Sequence, residues 1–253
     1  MKAAIVHLAT RESAEQTLDV ALGLIQEAAG RGAEFVLLPE LWSSGYRFAD
    51  AAKTPAILDT LKAEAAKFGM VIAGGLLETA GERHANRLHV IGPEGEIARY
   101  TKLHLIPAFN EPETLEPGEN TTITQLAGFT TGLAICFDLR FPELFRGYAL
   151  EGASLFLVAS AWPAERAAAF ELFARSRAAE NQAYLLAANH AEAPFGAASV
   201  AVDPLGQIVA RLEAEGVAVI EMDPQIPARL RKNFPVLSER RPKVYSPKLV
   251  SEN

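Results

Sequence analysis

Cysteine is almost absent: Cys136 is the only one in 253 residues. A lone thiol forms no intramolecular disulfide and supplies no cysteine-rich zinc cluster, so a disulfide scaffold is excluded and a reducing compartment is expected. Basic charge is short as well. Lys and Arg number 24 against 31 Asp and Glu, the formal net charge is -7, and no run of five or more basic residues could neutralise a phosphate backbone. Nucleic acid is not an expected partner. No apolar stretch approaches the roughly 18 residues of a membrane span. His7 interrupts the apolar start of "MKAAIVHLAT" before a secretory core can form, so the expected location is the cytoplasm. Missing motifs narrow the chemistry further. There is no Gly-x-Gly-x-x-Gly opening a helix, no Walker loop, no His-Glu-x-x-His and no Gly-x-Ser-x-Gly. His84, His89, His104 and His190 are scattered without metal-ligand spacing and are expected in hydrogen-bonded structural or surface roles, so neither a metal nor an organic cofactor is expected.

What is present is a folded α/β pattern. Hydrophobic residues make up 49% and charged residues 22%, a globular composition. "AAIVHL" reads as a strand, and Ser13-Ala-Glu-Gln16 as a capping box opening a helix through Leu18, Leu22, Ile25 and Ala29. "EFVLLPE" is a second strand, and Thr54-Pro55 opens a second helix stopped by Gly69. "MVIAGGLLE", "NRLHVIG" and "EIARYTK" then read as consecutive antiparallel strands joined by turn signals. The loop from Leu103 to Asn120, with three prolines and four glutamates, is long enough to suggest a functional role. Strands "TGLAIC", "SLFLVAS" and "AYLLAANH" follow, separated by helices over Pro142 to Glu151 and Ala164 to Asn181. A hairpin at "DPLGQ", a strand "GVAVIEM" and an irregular basic tail with five prolines close the chain. Pro-x-Gly-[Glu/Gln]-Ile at 93–97 recurs at 204–208, which marks either two similar halves or a common turn. The alternation predicts two mixed sheets packed face to face with helices outside, without a linker dividing residues 1–253 into domains.

Three ionisable residues sit at strand ends: Glu40 after "FVLL", Lys102 after "IARYT" and Cys136 after "GLAI". Ligands bind at that edge of α/β sheets, and neighbouring parallel strands would bring the three together. Taken singly, each has a plainer reading: Cys136 as core packing, Glu40 as a capping or surface carboxylate, Lys102 as a solvated charge. Taken together, a carboxylate and an ammonium pair to offset desolvation, and an adjacent thiol can pass its proton to the carboxylate.

With "LLPELWSSGY", "YTKLHL" and "CFDLRFPE" in this order, the chain resembles the nitrilase superfamily of carbon-nitrogen hydrolases along residues 1 to about 245. The resemblance implies a four-layer αββα sandwich of two mixed β-sheets flanked by helices, and a Glu-Lys-Cys triad at Glu40, Lys102 and Cys136. It implies a second glutamate in "NEPETLEPGE", best matched by Glu111, with Glu113, Glu116 and Glu119 as neighbouring charges. It further implies Tyr46 and Trp162 in the pocket, and homodimers or larger homo-oligomers in which a tail from about residue 233 crosses to the partner; in the mechanism these groups suggest, the backbone N–H of Phe137 is expected to meet the oxyanion together with Lys102. Tyr46 and Trp162 read equally as core aromatics.

"CFDLRFPE" looks like the branch containing omega-amidases, in which the arginine matching Arg140 binds a substrate carboxylate. A guanidinium fork suits that task, and the alternative is a structural bridge from Arg140 to Asp138 or Glu143. Two departures stand out: "FELFARSRAAEN" places Phe170 where many relatives carry tryptophan and Ala179 where they carry isoleucine, and "SAWPAER" replaces the Thr-Gly segment of eukaryotic omega-amidases, leaving the second carboxylate contact unassigned. The expected activity is hydrolysis of a small ω-amide of a (2-oxo) dicarboxylic acid through a thioester. N-carbamoyl amidohydrolase and nitrilase chemistry are the close alternatives, and a catalytically silent binding protein or a thiol redox sensor the distant ones.

Overall fold

Residues 1–245 are described in a computed structural model of the chain. Two six-stranded sheets form its middle. The first runs β12 (Gly216–Glu221), β1 (Lys2–His7), β2 (Phe35–Leu37), β3 (Val71–Ala80), β4 (Arg83–Gly92), β5 (Gly95–Thr101). The second runs β11 (Ile208–Leu212), β10 (Ser199–Val202), β9 (Tyr184–Ala188), β8 (Leu155–Ala159), β7 (Phe129–Ile135), β6 (Ile123–Leu126). Both are mixed: β1, β2 and β3 pair in parallel, as do β7, β8 and β9, and the remaining pairs are antiparallel.

The alternation of side chains along a strand decides what each sheet face meets. In β1, Ala3 and Ile5 belong to the core shared with the second sheet, together with Phe35, Leu37 and Leu157. Ala4 and Val6 turn the other way, onto Ala21 and Ile25 of α1 (Ala14–Gly30) and Ile57 and Leu61 of α2 (Thr54–Phe68). The second sheet is covered in the same manner by α4 (Pro142–Leu150) and α5 (Ala167–Asn181), through Phe145, Tyr148, Phe170 and Ala174. This is the αββα sandwich anticipated above.

Local signals position the elements largely as read. Ser13 Oγ accepts the Gln16 amide at 3.2 Å and caps α1, and Gly69 ends α2 with φ 62, a left-handed conformation that glycine adopts without strain. The two Pro-x-Gly repeats form the turns of the β4–β5 and β10–β11 hairpins, with Gly95 at φ 125 and Gly206 at φ 80. The basic tail is less irregular than its prolines suggest. It contains α6 (Gln225–Asn233), with Pro227 in the first turn, where the missing N–H would have no helical partner. The expected arm from about residue 233 is described as far as Tyr245, and residues 246–253 lie outside the described residues. Among the described residues no helix is long and apolar enough to cross a membrane.

The three strand ends do not converge as neighbours. β2 and β5 belong to the first sheet but are separated by β3 and β4, and β7 lies in the second sheet. β5 nevertheless points the same way as β2, because two antiparallel steps separate it from β3. A parallel bridge between Leu8 and His190 brings the carboxyl ends of β1 and β9 together across the sandwich. All three strands therefore deliver their ends to one mouth, and the site forms between the sheets.

Candidate active site

The segment after β2 crosses directly over β3. The Gly75 amide donates to the Pro39 carbonyl at 2.9 Å and the Trp42 amide to the Gly75 carbonyl at 3.1 Å. A Cβ on Gly75 would lie 2.7 Å from the Glu40 Cα, so the "GG" of β3 is required for Glu40 to sit this deep. Glu40 is fully buried. Its Oε1 accepts from Lys102 Nζ at 2.8 Å and Asn86 Nδ2 at 2.7 Å, and its Oε2 from the Ala161 amide at 2.8 Å. His190 Nε2 lies 2.5 Å from the Glu40 carbonyl oxygen and holds the backbone from the second sheet.

Lys102 is also fully buried, and its Nζ lies 2.8 Å from Oε1 of Glu111. Glu111 opens α3 (Glu111–Thr114), a single turn in the long loop, and accepts the Tyr46 hydroxyl at 2.9 Å and the Ile106 amide at 2.7 Å. Burial alone would lower the Lys102 pKa, but the charges of Glu40 and Glu111 outweigh it and raise the value, so the lysine stays protonated.

Cys136 follows β7 with φ 44, a strained left-handed conformation for a residue with a Cβ, and begins a 3-10 turn over Cys136–Arg140. Asp138 clamps this elbow. Its Oδ2 accepts the Ile135 amide at 2.9 Å and the Tyr100 hydroxyl at 2.7 Å, and its Oδ1 accepts the His104 amide at 3.0 Å. Arg177 of α5 donates to the Leu139 carbonyl at 3.1 Å from the opposite side. Burial pushes the Cys136 thiol well up, and the negative charge of Glu40 adds to that against the opposing charge of Lys102. Both effects favour the neutral thiol.

The cleft in front of the thiol is lined by Ile106, Phe109, Phe137, Arg140, Trp162 and Arg166, among others. The Arg140 guanidinium lies 4.7 Å from the Trp162 ring, 5.2 Å from Phe173 and 5.8 Å from Phe137. Among the described residues it makes no salt bridge; Asp138 bonds to Tyr100 and His104 instead. Trp162 is buried, with its amide donating to Asn189 at 2.6 Å, and Phe170, the departure from tryptophan in α5, packs 5.3 Å from it. Tyr46 is set behind this cleft as the partner of Glu111.

The structure thus brings Glu40, Lys102, Glu111, Tyr46 and Cys136 into one network and places Phe137, Arg140 and Trp162 at its opening. Sequence reading missed Asn86, Arg177 and Arg166; it gave His190 a hydrogen-bonded structural role without its partner, and it took Asp138 only as an alternative partner of Arg140. Asn86 and His190 carried a faint signal as polar residues beside apolar strands, but their partner, Glu40, is far away in sequence. Among the described residues no cluster of three or more His, Cys, Asp or Glu side chains is arranged to hold a metal. A carboxylate, an ammonium and a thiol buried in contact can perform nucleophilic attack on a polarised carbonyl.

Comparison with known proteins agrees with this chemistry. The family described as "Carbon-nitrogen hydrolase" matches residues 2–231. An omega-amidase of Danio rerio is 32% identical, with 98% of each chain covered. A 2-oxoglutaramate amidase of Bacillus subtilis is 30% identical, covering 87% of this chain and 89% of its own. The crystal structure of Saccharomyces cerevisiae Nit3, a member of branch 10 of the nitrilase superfamily, superposes with a TM-score of 0.86 at 29% identity, covering 95% of this chain and 96% of the other. With the sandwich in place and Glu40, Lys102 and Cys136 buried together, the chain belongs to the carbon-nitrogen hydrolase family of the nitrilase superfamily and is an amide-hydrolysing enzyme.

Proposed function

We propose that the enzyme hydrolyses a small ω-amide carrying a carboxylate at its far end, of the kind derived from (2-oxo) dicarboxylic acids, through a thioester on Cys136. The observation that carries this reading is a charged guanidinium, Arg140, left without an acidic partner among the described residues at the mouth of a cleft that ends at the buried thiol. The names of the omega-amidase and 2-oxoglutaramate amidase relatives support it.

Glu40 takes the thiol proton as the sulfur attacks the amide carbon. The carbonyl oxygen becomes an oxyanion beside the Lys102 ammonium and the backbone N–H of Phe137. Near the start of a helical turn such an N–H has no partner within the turn. Collapse breaks the carbon-nitrogen bond, Glu40 returns the proton to the leaving nitrogen, and ammonia departs. Glu40 then deprotonates a water that attacks the thioester, and the acid and the free thiol are released. Glu111, fixed by Tyr46 and the Ile106 amide, holds Lys102 against the oxyanion position. The reaction as written uses no metal or organic cofactor. The same reading takes residues 1–253 as one catalytic domain, working in the cytoplasm as a homodimer or larger homo-oligomer. Exposed Phe234, Val244 and Tyr245 on the C-terminal arm support such association.

Ammonia release from a panel of ω-amides, neutral amides, ureido acids and nitriles tests the proposal. Fastest turnover of a carboxylate-bearing amide, abolished in a folded Cys136→Ala variant, is the expected result. Preference for a ureido acid or a nitrile would replace it with N-carbamoyl amidohydrolase or nitrilase chemistry, and full activity in Cys136→Ala would end it.

A further inference from the structure

We infer that Arg166 is a second anion-binding residue of this cleft and that the substrate carboxylate is held between the guanidiniums of Arg140 and Arg166. This rests on the reading that the substrate carries a carboxylate. Both arginines line the cleft that ends at Cys136, and none of the lining residues is acidic. One side chain, Trp162, contacts both residues: the guanidinium of Arg140 and the backbone of Arg166. Its ring lies 4.7 Å from the Arg140 guanidinium, and its indole N–H donates to the Arg166 carbonyl at 2.9 Å. Arg166 is seated by a 3-10 turn over Ala164–Arg166 that is anchored to the opposite loop: the Ala164 amide donates to the Pro194 carbonyl at 3.1 Å, and Pro163 bridges Phe195. Its one ion pair among the described residues, to Glu165 at 3.2 Å, joins two side chains that are more than half exposed. Such a surface pair is weak, so a carboxylate in the cleft can take its place.

The two like charges are close enough to act on each other: burial lowers the Arg140 pKa, and the positive charge of Arg166 lowers it further. Two guanidiniums that line one cleft with no acidic lining residue repel each other less when an anion enters. A carboxylate has two oxygens with lone pairs for both forks, whereas a neutral chain end leaves the repulsion in place. The cleft therefore selects amides by charge at a fixed distance from the thiol, and Arg166 is a specificity-determining residue from the segment "SAWPAER".

The test compares succinamate with butyramide, an uncharged analogue in which a methyl replaces the carboxylate, on the purified full chain, as wild type and as Arg166→Ala, Arg166→Lys, Glu165→Gln and Arg140→Ala. Wild type prefers succinamate in kcat/KM. Arg166→Ala lowers that preference about tenfold, chiefly through a higher KM, as expected when one charge-assisted contact is lost. Arg166→Lys restores part of it, since the charge returns without the fork. Glu165→Gln retains the preference, because the carboxylate it removes competes with substrate. If Arg166→Ala slows both amides in proportion, the residue is structural and the inference is overturned. If Arg140→Ala abolishes the preference and Arg166→Ala does not, this inference alone falls. A wild type without preference for succinamate overturns it together with the carboxylate reading.

Discussion

Lys102 Nζ donates to Oε1 of Glu40 at 2.8 Å with neither side chain in contact with solvent. The lysine is the counterion to two buried carboxylates at once, because Oε1 of Glu111 lies at the same distance. Its removal is therefore more damaging than the loss of one hydrogen bond. Lys102→Met leaves two buried carboxylates facing each other, and a loss of about 3–5 kcal/mol is expected in urea denaturation. Turnover in any folded fraction falls by at least about 100-fold, since the oxyanion loses its cation.

Asp138 is the clamp of the Cys136 elbow. It ties the end of β7 to Tyr100, two residues before Lys102, and so fixes Cys136 relative to the lysine across the sheet interface. Asp138→Asn keeps the volume but offers one acceptor oxygen where two are used, and its NH2 group faces donors. The expected outcome is about 1–3 kcal/mol of destabilisation, with kcat reduced more than KM is raised. Thermal unfolding and steady-state kinetics on the same preparation measure both.

Acid stability depends on Glu78 and its two basic neighbours, His89 and Arg87. Burial alone would raise the Glu78 pKa, but hydrogen bonding and charge from His89, then the charge of Arg87, outweigh it and hold the carboxyl at about 2, below its usual 4.5. A depressed folded pKa contributes stability that is fully present above the unfolded value and disappears as pH falls through the folded one. The stability difference between wild type and Glu78→Gln is therefore largest above pH 4.5 and shrinks toward pH 2. Urea midpoints measured across that range read it directly.

Much of this could be read from the residues alone, and the rest failed for identifiable reasons. Strands and helices were legible where patterning is local, as in the cap at Ser13, the stop at Gly69 and the strand ends at Glu40, Lys102 and Cys136. How those ends meet was not legible, because β2 and β7 lie in different sheets and their contact depends on packing across the sandwich. The same distance hid Asn86 and His190, whose shared partner Glu40 lies 46 and 150 residues away. Arg140 shows a different limit. Intramolecular pairing to Asp138 was a sound alternative on sequence, and only the structure shows that Asp138 is occupied by the elbow and by Tyr100. Helix α6 was obscured by its prolines, since a proline in the first turn interrupts nothing.

The central claim is that Cys136 is the nucleophile and carries the acyl group. Intact-mass measurement of enzyme quenched in acid during turnover of succinamate tests it most directly. The account predicts an adduct with the mass of the succinyl group, mapped to Cys136 by peptide analysis, present in wild type and absent in Cys136→Ala. Turnover with no adduct on Cys136 under rapid quench, together with ammonia release by Cys136→Ala at the wild-type rate, would contradict it.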